Sequence, residues 1–495
     1  MKTLIQNGTI VTAGETFRGD ILIDGEMIAA VGRNLDASGA TVIDASNKHV
    51  LPGGIDIHTH LDLPFGGTVS SDDFHTGHVA AAFGGTTTHL DFAMQPRGGS
   101  LKDGLEIWHN KAREKACIDY GFHVGITDPT AAALDEISEL PSLGVSSVKM
   151  FMAYKGLFQV DDESLFRALE RTRDCGILLM VHAENGDAID VLVKQAIAAG
   201  RLEPKYHALT RPPELEGEAT GRAVAMAEVL DAPLYIVHLT CEHSLVRVQE
   251  ARARGSRVYA ETCVQYLFFT KDDLARPGFE GAKWVCTPPF REVKDQELLW
   301  NALRDDDLSV VSTDHCPFYY ETQKTLGKDN FSKIPNGIPS IEDRLLVLHE
   351  AGVNGNRFDL NRFVAVTSTN PAKLFGLEGR KGSIAPGCDA DIAIWDMNRE
   401  RTMQVAAGHS AVDYNLYEGM RVRGVPEKVF VRGRLLVEGD QFLGEQGYGR
   451  YLHRAPRAIP GARRKGEPAE SALSPGHHTQ AFGGVPGEPL PALQA

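Results

Sequence analysis

The chain has 495 residues, 42% of them hydrophobic and 24% charged, which is ordinary globular composition. A formal charge of −15 with no basic block argues against nucleic acid or an anionic membrane as partner. Seven scattered cysteines (Cys117, Cys175, Cys241, Cys263, Cys286, Cys316 and Cys388) contain no C-x-x-C, so neither a disulfide framework nor a zinc knuckle is expected. No apolar run is long enough to span a bilayer, and the start MKTLIQNGTIVT turns too early for a signal-peptide core. The expected setting is cytoplasmic.

The first fifty residues read as short strands and turns: TLIQ-NG-TIVT and DILI-DG-EMIAAVG are both hairpin patterns. The texture returns near the other end in GSIAPGCDADIAIWD and EKVFVRG-RLLVEGD. Residues 1–50 and 378–440 are therefore expected to pair into one small β-sandwich domain. Between them, across 51–377, apolar runs alternate with helical stretches: GGIDIHTH, TTTHLDFAM, YGFHVGIT, SSVKMFMAY, ILLMVHAEN, LYIVHLT, RVYAETC and LSVVSTDHC. Near-continuous apolar strands are buried on both faces. Eight of them over a barrel-sized length point to an α/β fold, a (β/α)8 TIM barrel, with a doubly wound open sheet as the alternative. The tail, 441–495, is rich in Gly, Pro and Ala, and reads as flexible or draped over a neighbouring surface.

Polar residues cluster where these runs end. His58 and His60 form an H-x-H pair, and alternate strand residues share a face. His182, His238 and Asp314 close the fifth, sixth and eighth runs, and Lys149 closes the fourth. Any one of them could be a satisfied histidine, a helix cap or a snorkelling lysine. Together, at the ends of separate strands of one repeating pattern, the four histidines and Asp314 suit a divalent metal of borderline softness, whereas Lys149 as an ammonium has no lone pair to offer one.

The segments PGGIDIHTHLDLPFGGTVSSDDF, AAFGGTTTHLDFA, VKMFMAYKG, MVHAENGD, YIVHLTCEHSL, STDHCPF and IPNGIPSIEDR resemble the cyclic amidohydrolases of the amidohydrolase superfamily, most of all its D-hydantoinase and dihydropyrimidinase branch. That resemblance implies two divalent metal ions per subunit, zinc first, with manganese or cobalt as alternatives. It implies His58 and His60 as ligands of one metal, His182 and His238 of the other, Asp314 as ligand and catalytic base, and Lys149, carboxylated on its amine (N6-carboxylysine), as the bridge. Tyr154 resembles the phenol that hydrogen-bonds the substrate carbonyl. Thr287 and Asn336 resemble the positions whose backbone holds the ring's amide edge. Leu63, Phe65, Phe151 and Phe158 resemble an apolar gate for the exocyclic substituent.

The implied reaction is hydrolysis of 5-substituted hydantoins or dihydropyrimidines to N-carbamoyl amino acids, in a homotetramer or homodimer. Asp62 stands where dihydroorotase-like relatives carry Arg, which argues against an anionic ring substituent. An allantoinase-like ureide hydrolase and a non-catalytic assembly protein are the other readings.

Overall fold

The structure is a computed structural model and describes residues 2–456. The N-terminal strands are β1 (Lys2–Val11), β2 (Thr16–Asp24), β3 (Met27–Gly32), β4 (Ala40–Asp44) and β5 (His49–Pro52). They join β16 (Ile392–Thr402), β17 (Arg421–Val431), β18 (Arg434–Glu438) and β19 (Gln441–Phe442) in one nine-stranded sheet. The seam between the two chain ends is the antiparallel pair β5–β16. Ile5, Ile10, Ile21, Ile23, Val50, Ile392 and Phe430 form a core of their own there.

One expected turn is absent. TLIQ-NG-TIVT is a single ten-residue strand, and Asn7–Gly8 is a bulge within it. Asn7 takes a left-handed φ of 63° and donates its N–H to Asp20. A Cβ on Gly8 would meet Val50 Cγ2 at 2.6 Å, so the dipeptide serves a kink and a close approach instead of a reversal. The D-G and R-G hairpins form as read, joining β2 to β3 and β17 to β18.

The eight apolar runs are eight parallel strands: β6 (Gly54–Thr59), β9 (Thr86–Met94), β10 (Asp119–Gly125), β11 (Ser147–Phe151), β12 (Leu178–His182), β13 (Leu234–Ile236), β14 (Val258–Cys263) and β15 (Val310–Ser312). They lie side by side in chain order. A doubly wound sheet would reverse that order, and no reversal occurs. A short hairpin, β7 (Pro64–Phe65) with β8 (Thr68–Val69), follows β6. Strands β6 and β15 close the ring through few backbone bonds, such as His60 N–H to His315 O at 2.8 Å. Side chains complete the join. Arg344 donates to Ile55 O and Val311 O, and Thr313 Oγ1 to Asp56 Oδ2 at 2.6 Å.

The intervening helices carry the expected punctuation. The helix Asp162–Cys175 is capped by the Asp161 side chain and stopped by left-handed Gly176. Among the described residues no helix is long and apolar enough to cross a membrane.

Where it is described, the C-terminal extension takes the second of the two expected forms, draped over a neighbouring surface. Residues 441–456 run along the barrel: Tyr120 N–H donates to Arg450 O, Leu452 N–H to Tyr120 O, and Arg454 N–H to Gly144 O. The buried Arg454 guanidinium reaches Phe122 O and Ser147 Oγ. This stretch is held by backbone bonds and a buried arginine, features that a Gly/Pro count does not register. The rest of the expected flexible tail lies outside the described residues.

Candidate metal centre and substrate cavity

The C-terminal ends of the barrel strands converge on one cavity. It is lined by His60, Leu63, Phe65, Met94, Lys149, Phe151, Tyr154, Phe158, His182, His238, Thr287, Asp314, Cys316, Asn336 and Gly337. Every site residue expected from the sequence is in that lining except His58, which lies buried beside it.

Two groups of ligand-type atoms face each other across its floor. In the first, His58 Nε2 and His60 Nε2 lie 3.1 and 3.0 Å from Asp314 Oδ1. These three residues bring one ligand atom each within 4.8 Å of the others. In the second, His182 Nδ1 and His238 Nε2 are 2.9 Å apart. Lys149 Nζ is 2.9 Å from His58 Nε2 and sits 4.2 Å from the Phe92 ring centroid.

Outer contacts aim these atoms. The His58 Nδ1–H donates to Glu261 Oε1 at 2.5 Å, which leaves Nε2 as a lone pair pointing inward. Glu261 also accepts from Tyr235 OH and His238 N–H. The His182 Nε2–H donates to Glu184 Oε2 at 2.8 Å, so its Nδ1 lone pair faces His238. A metal ion fits this arrangement. Two imidazole nitrogens, His182 Nδ1 and His238 Nε2, abut with no carboxylate between them, and three further ligand atoms, from His58, His60 and Asp314, converge within 4.8 Å of one another.

Electrostatics agree. Burial and Lys149 press His58 toward neutrality, yet Asp314 and Glu261 outweigh them and hold it above its usual value. The carboxylates thus draw positive charge to this point. Burial lowers His60 to about 4 despite Asp314, and holds His238 well below normal. Asp314 stays well below the carboxylate range because His58 and His60 overcome its burial. Burial lowers Lys149 to about 8, so part of the amine is free base near neutral pH.

Several of these residues hold strained backbone. His238 (φ 38°), Asp314 (φ 52°) and Tyr154 (φ 69°) are left-handed, which for non-glycine residues costs on the order of 1–3 kcal/mol each. His238 and Asp314 each lie two residues past a strand. The left-handed turn brings their side chains back over the barrel mouth. Lys149 is in the middle of β11 and not at its end as the run suggested.

Above the floor stands an aromatic wall. Phe65 packs edge-on to Tyr154 and stacks with Phe158, and Phe151 lies 5.2 Å from Phe158 between ring centroids. The Tyr154 ring lies 5.2 Å from His182, and Tyr154 and Thr287 both line the cavity. Burial raises the phenol well above its usual value, so it is a donor. Leu63 is buried at the rim. Asp62 is not in the lining, so its charge does not meet a ring substituent directly. The lining holds no arginine among the described residues, which is the firmer argument against an anionic substrate.

Glu261 and Glu184 were missed by sequence reasoning. Glu184 could have been suspected, as a carboxylate two residues past a ligand-type histidine. Glu261 is one acid in an apolar strand, 203 positions from His58.

With this geometry in view, the comparisons with known proteins are specific. Residues 49–436 match the amidohydrolase family. The D-hydantoinase of Geobacillus stearothermophilus is 52% identical over 456 residues, covering 92% of this chain and 97% of that protein. The dihydropyrimidinase of Rattus norvegicus is 41% identical, covering 92% and 89%. The crystal structure of dihydropyrimidinase from Brevibacillus agri superposes with a TM-score of 0.92 at 51% identity, covering 93% of this chain and all of that one. The chain belongs to the amidohydrolase family, in its D-hydantoinase and dihydropyrimidinase branch.

Proposed function

We propose that this enzyme hydrolyses the cyclic amide bond of 5-substituted hydantoins and dihydropyrimidines, giving N-carbamoyl amino acids, with two divalent metal ions per subunit. The observation that carries this reading is the facing pair of ligand groups, His58–His60–Asp314 and His182–His238, on the floor of an apolar-walled cavity. Lys149 stands beside them. As a free amine it could add carbon dioxide and lose a proton, and the resulting carbamate would offer two anionic oxygens to help hold the ions. Bound there, the metal pair supplies Lewis acidity at a carbonyl oxygen and acidifies water. Zinc suits the histidine-rich donor set, with manganese or cobalt as alternatives.

The remaining work falls to the chain's own groups. Asp314 takes the proton of the attacking water and returns it to the leaving ring nitrogen. Tyr154, held protonated, donates a hydrogen bond to the carbonyl oxygen as charge develops on it. The backbone at Thr287 and Asn336 reads the amide edge. Leu63, Phe65, Phe151 and Phe158 face the exocyclic substituent and keep water from it. An apolar wall without arginine favours uncharged, apolar or aromatic substituents over the carboxylate of dihydroorotate or the ureido group of allantoin.

A homotetrameric or homodimeric assembly belongs to the same proposal, and light scattering reads it. The test of function is a panel of dihydrouracil, 5-substituted hydantoins, allantoin and dihydroorotate with the metal-loaded enzyme. The first two classes are expected to turn over. Preference for allantoin would overturn the substrate assignment.

A further inference from the structure

Two backbone segments far apart in sequence, around Cys286–Thr287 and around Asn336–Gly337, form one wall of the cavity. Behind that wall lies Lys324, whose side chain is fully buried. Its Nζ donates to Val285 O at 2.8 Å, Pro335 O at 2.8 Å and Gly337 O at 2.7 Å. An ammonium has three N–H donors, and here each meets a carbonyl that flanks Thr287 or Asn336. Burial lowers this lysine to about 7, a cost that a methionine filling the same space would avoid. Packing alone therefore does not account for a lysine here. Three accepting carbonyls within 2.8 Å call for all three N–H donors, so the ammonium, which burial opposes, is the form this geometry holds, and it fixes the three carbonyls relative to one another. The segments also meet directly, Gly337 N–H donating to Val285 O.

The adjacent residue extends the frame. Gln323 Nε2 donates to Thr68 Oγ1 and Val69 O, both at 2.7 Å, on strand β8 of the hairpin that carries Phe65. A Cβ on Gly66 in that hairpin would come within 3.2 Å of Pro335. Two consecutive side chains thus reach the wall at Thr287 and Asn336 and the hairpin bearing Phe65.

We propose that Lys324 is a positioning residue that sets the spacing of the two backbone segments reading the substrate's amide edge, and that Gln323 ties the substituent gate to the same frame. This rests on the function proposed above. The consequence is a division of labour: disturbing Lys324 affects every substrate alike, whereas disturbing Gln323 affects mainly those with a substituent.

The experiment is steady-state kinetics of metal-loaded Lys324→Met and Gln323→Ala against unsubstituted hydantoin, dihydrouracil and a 5-aryl hydantoin, with metal content and Tm recorded. Lys324→Met is expected to raise KM by about tenfold, one common factor for all three, with kcat changed much less. That split marks lost binding common to ground and transition states. A purely structural role would lower the active fraction, and so kcat, at unchanged KM, and that result would overturn the proposal. Should Lys324→Met not fold, Lys324→Gln, which keeps two N–H donors, carries the same comparison with a smaller shift. Gln323→Ala is expected to lose more kcat/KM with the 5-aryl hydantoin than with the unsubstituted rings, and an equal loss on all three would remove the gate half. A wild type inactive on all three substrates would remove the proposed function and this inference together. An active wild type with unchanged KM in the variant would remove this inference alone.

Discussion

At the N-terminal end of the barrel, Asp119, Lys381, Asp391 and Arg432 are buried together and fully partnered. Lys381 Nζ contacts Asp119 and Asp391, both at 2.7 Å, and Arg432 Nε donates to Asp119 at 3.0 Å. Asp391 accepts from Arg432 N–H as well, and Asp119 from Arg450 N–H. At the C-terminal mouth, buried charge is arranged in the opposite way. Histidine nitrogens face one another, two ring nitrogens lack partners, Lys149 has an imidazole for its neighbour, and three residues hold left-handed backbone. One end joins the barrel to the nine-stranded sheet, and there each charged group of the Asp119–Lys381–Asp391–Arg432 cluster has an opposite charge beside it. The other retains facing ligand-type nitrogens and backbone strain, the pattern of a site held ready for a ligand. Buried charge is informative by its pairing, not by its presence.

The contrast makes predictions that differ between the two ends. The largest effect on activity is expected at the mouth. Asp314→Asn should lower kcat by roughly 10²–10⁴-fold through loss of the proton shuttle, with some loss of Tm as well, because His58 and His60 favour the ionised carboxylate in the folded state. Near-normal turnover with intact metal would rule out the assigned role.

At the opposite end, Lys381→Met leaves two buried carboxylates facing one another. It should destabilise the protein by about 3–5 kcal/mol, seen in denaturant unfolding, while kcat per folded enzyme stays close to wild type. The same cluster carries a pH dependence. Burial alone would raise Asp119, but Lys381 and Arg432 outweigh it, and its folded value lies below the unfolded one. Its contribution is therefore present above the usual carboxylate range and is lost as pH falls through the depressed value. Acid unfolding of Asp119→Asn should show a shallower loss of stability over that window.

The smallest effect belongs to the gate. Phe65→Ala or Phe158→Ala should reorder preference among 5-substituted hydantoins by roughly 1–3 kcal/mol in kcat/KM, with unsubstituted rings affected less. A common factor across all substrates would show that these rings only pack their loops.

Much of this was legible in the sequence, for identifiable reasons. The barrel strands are buried on both faces, so each appears as an unbroken apolar run, and the run's end marks the mouth where His182, His238 and Asp314 stand. What could not be read depends on partners distant in the chain. Glu261 earns its role only through His58, and Lys324 only through three carbonyls that nothing in its own neighbourhood announces. Asn7–Gly8 shows the converse. Its dipeptide suits a reversal or a bulge equally, and the continuous pairing of β1 with β2 selects the bulge. Residues 441–456 left two readings open, flexible or draped, because Arg450 and Arg454, not apolar periodicity, anchor them.

The central claim is that the mouth holds a metal pair that opens a cyclic amide. The most direct test strips the enzyme with a chelator, then titrates zinc back while following ring opening of a 5-aryl hydantoin. The account predicts loss of turnover on stripping and recovery that saturates at two equivalents per subunit. Full turnover by the metal-free protein would contradict it.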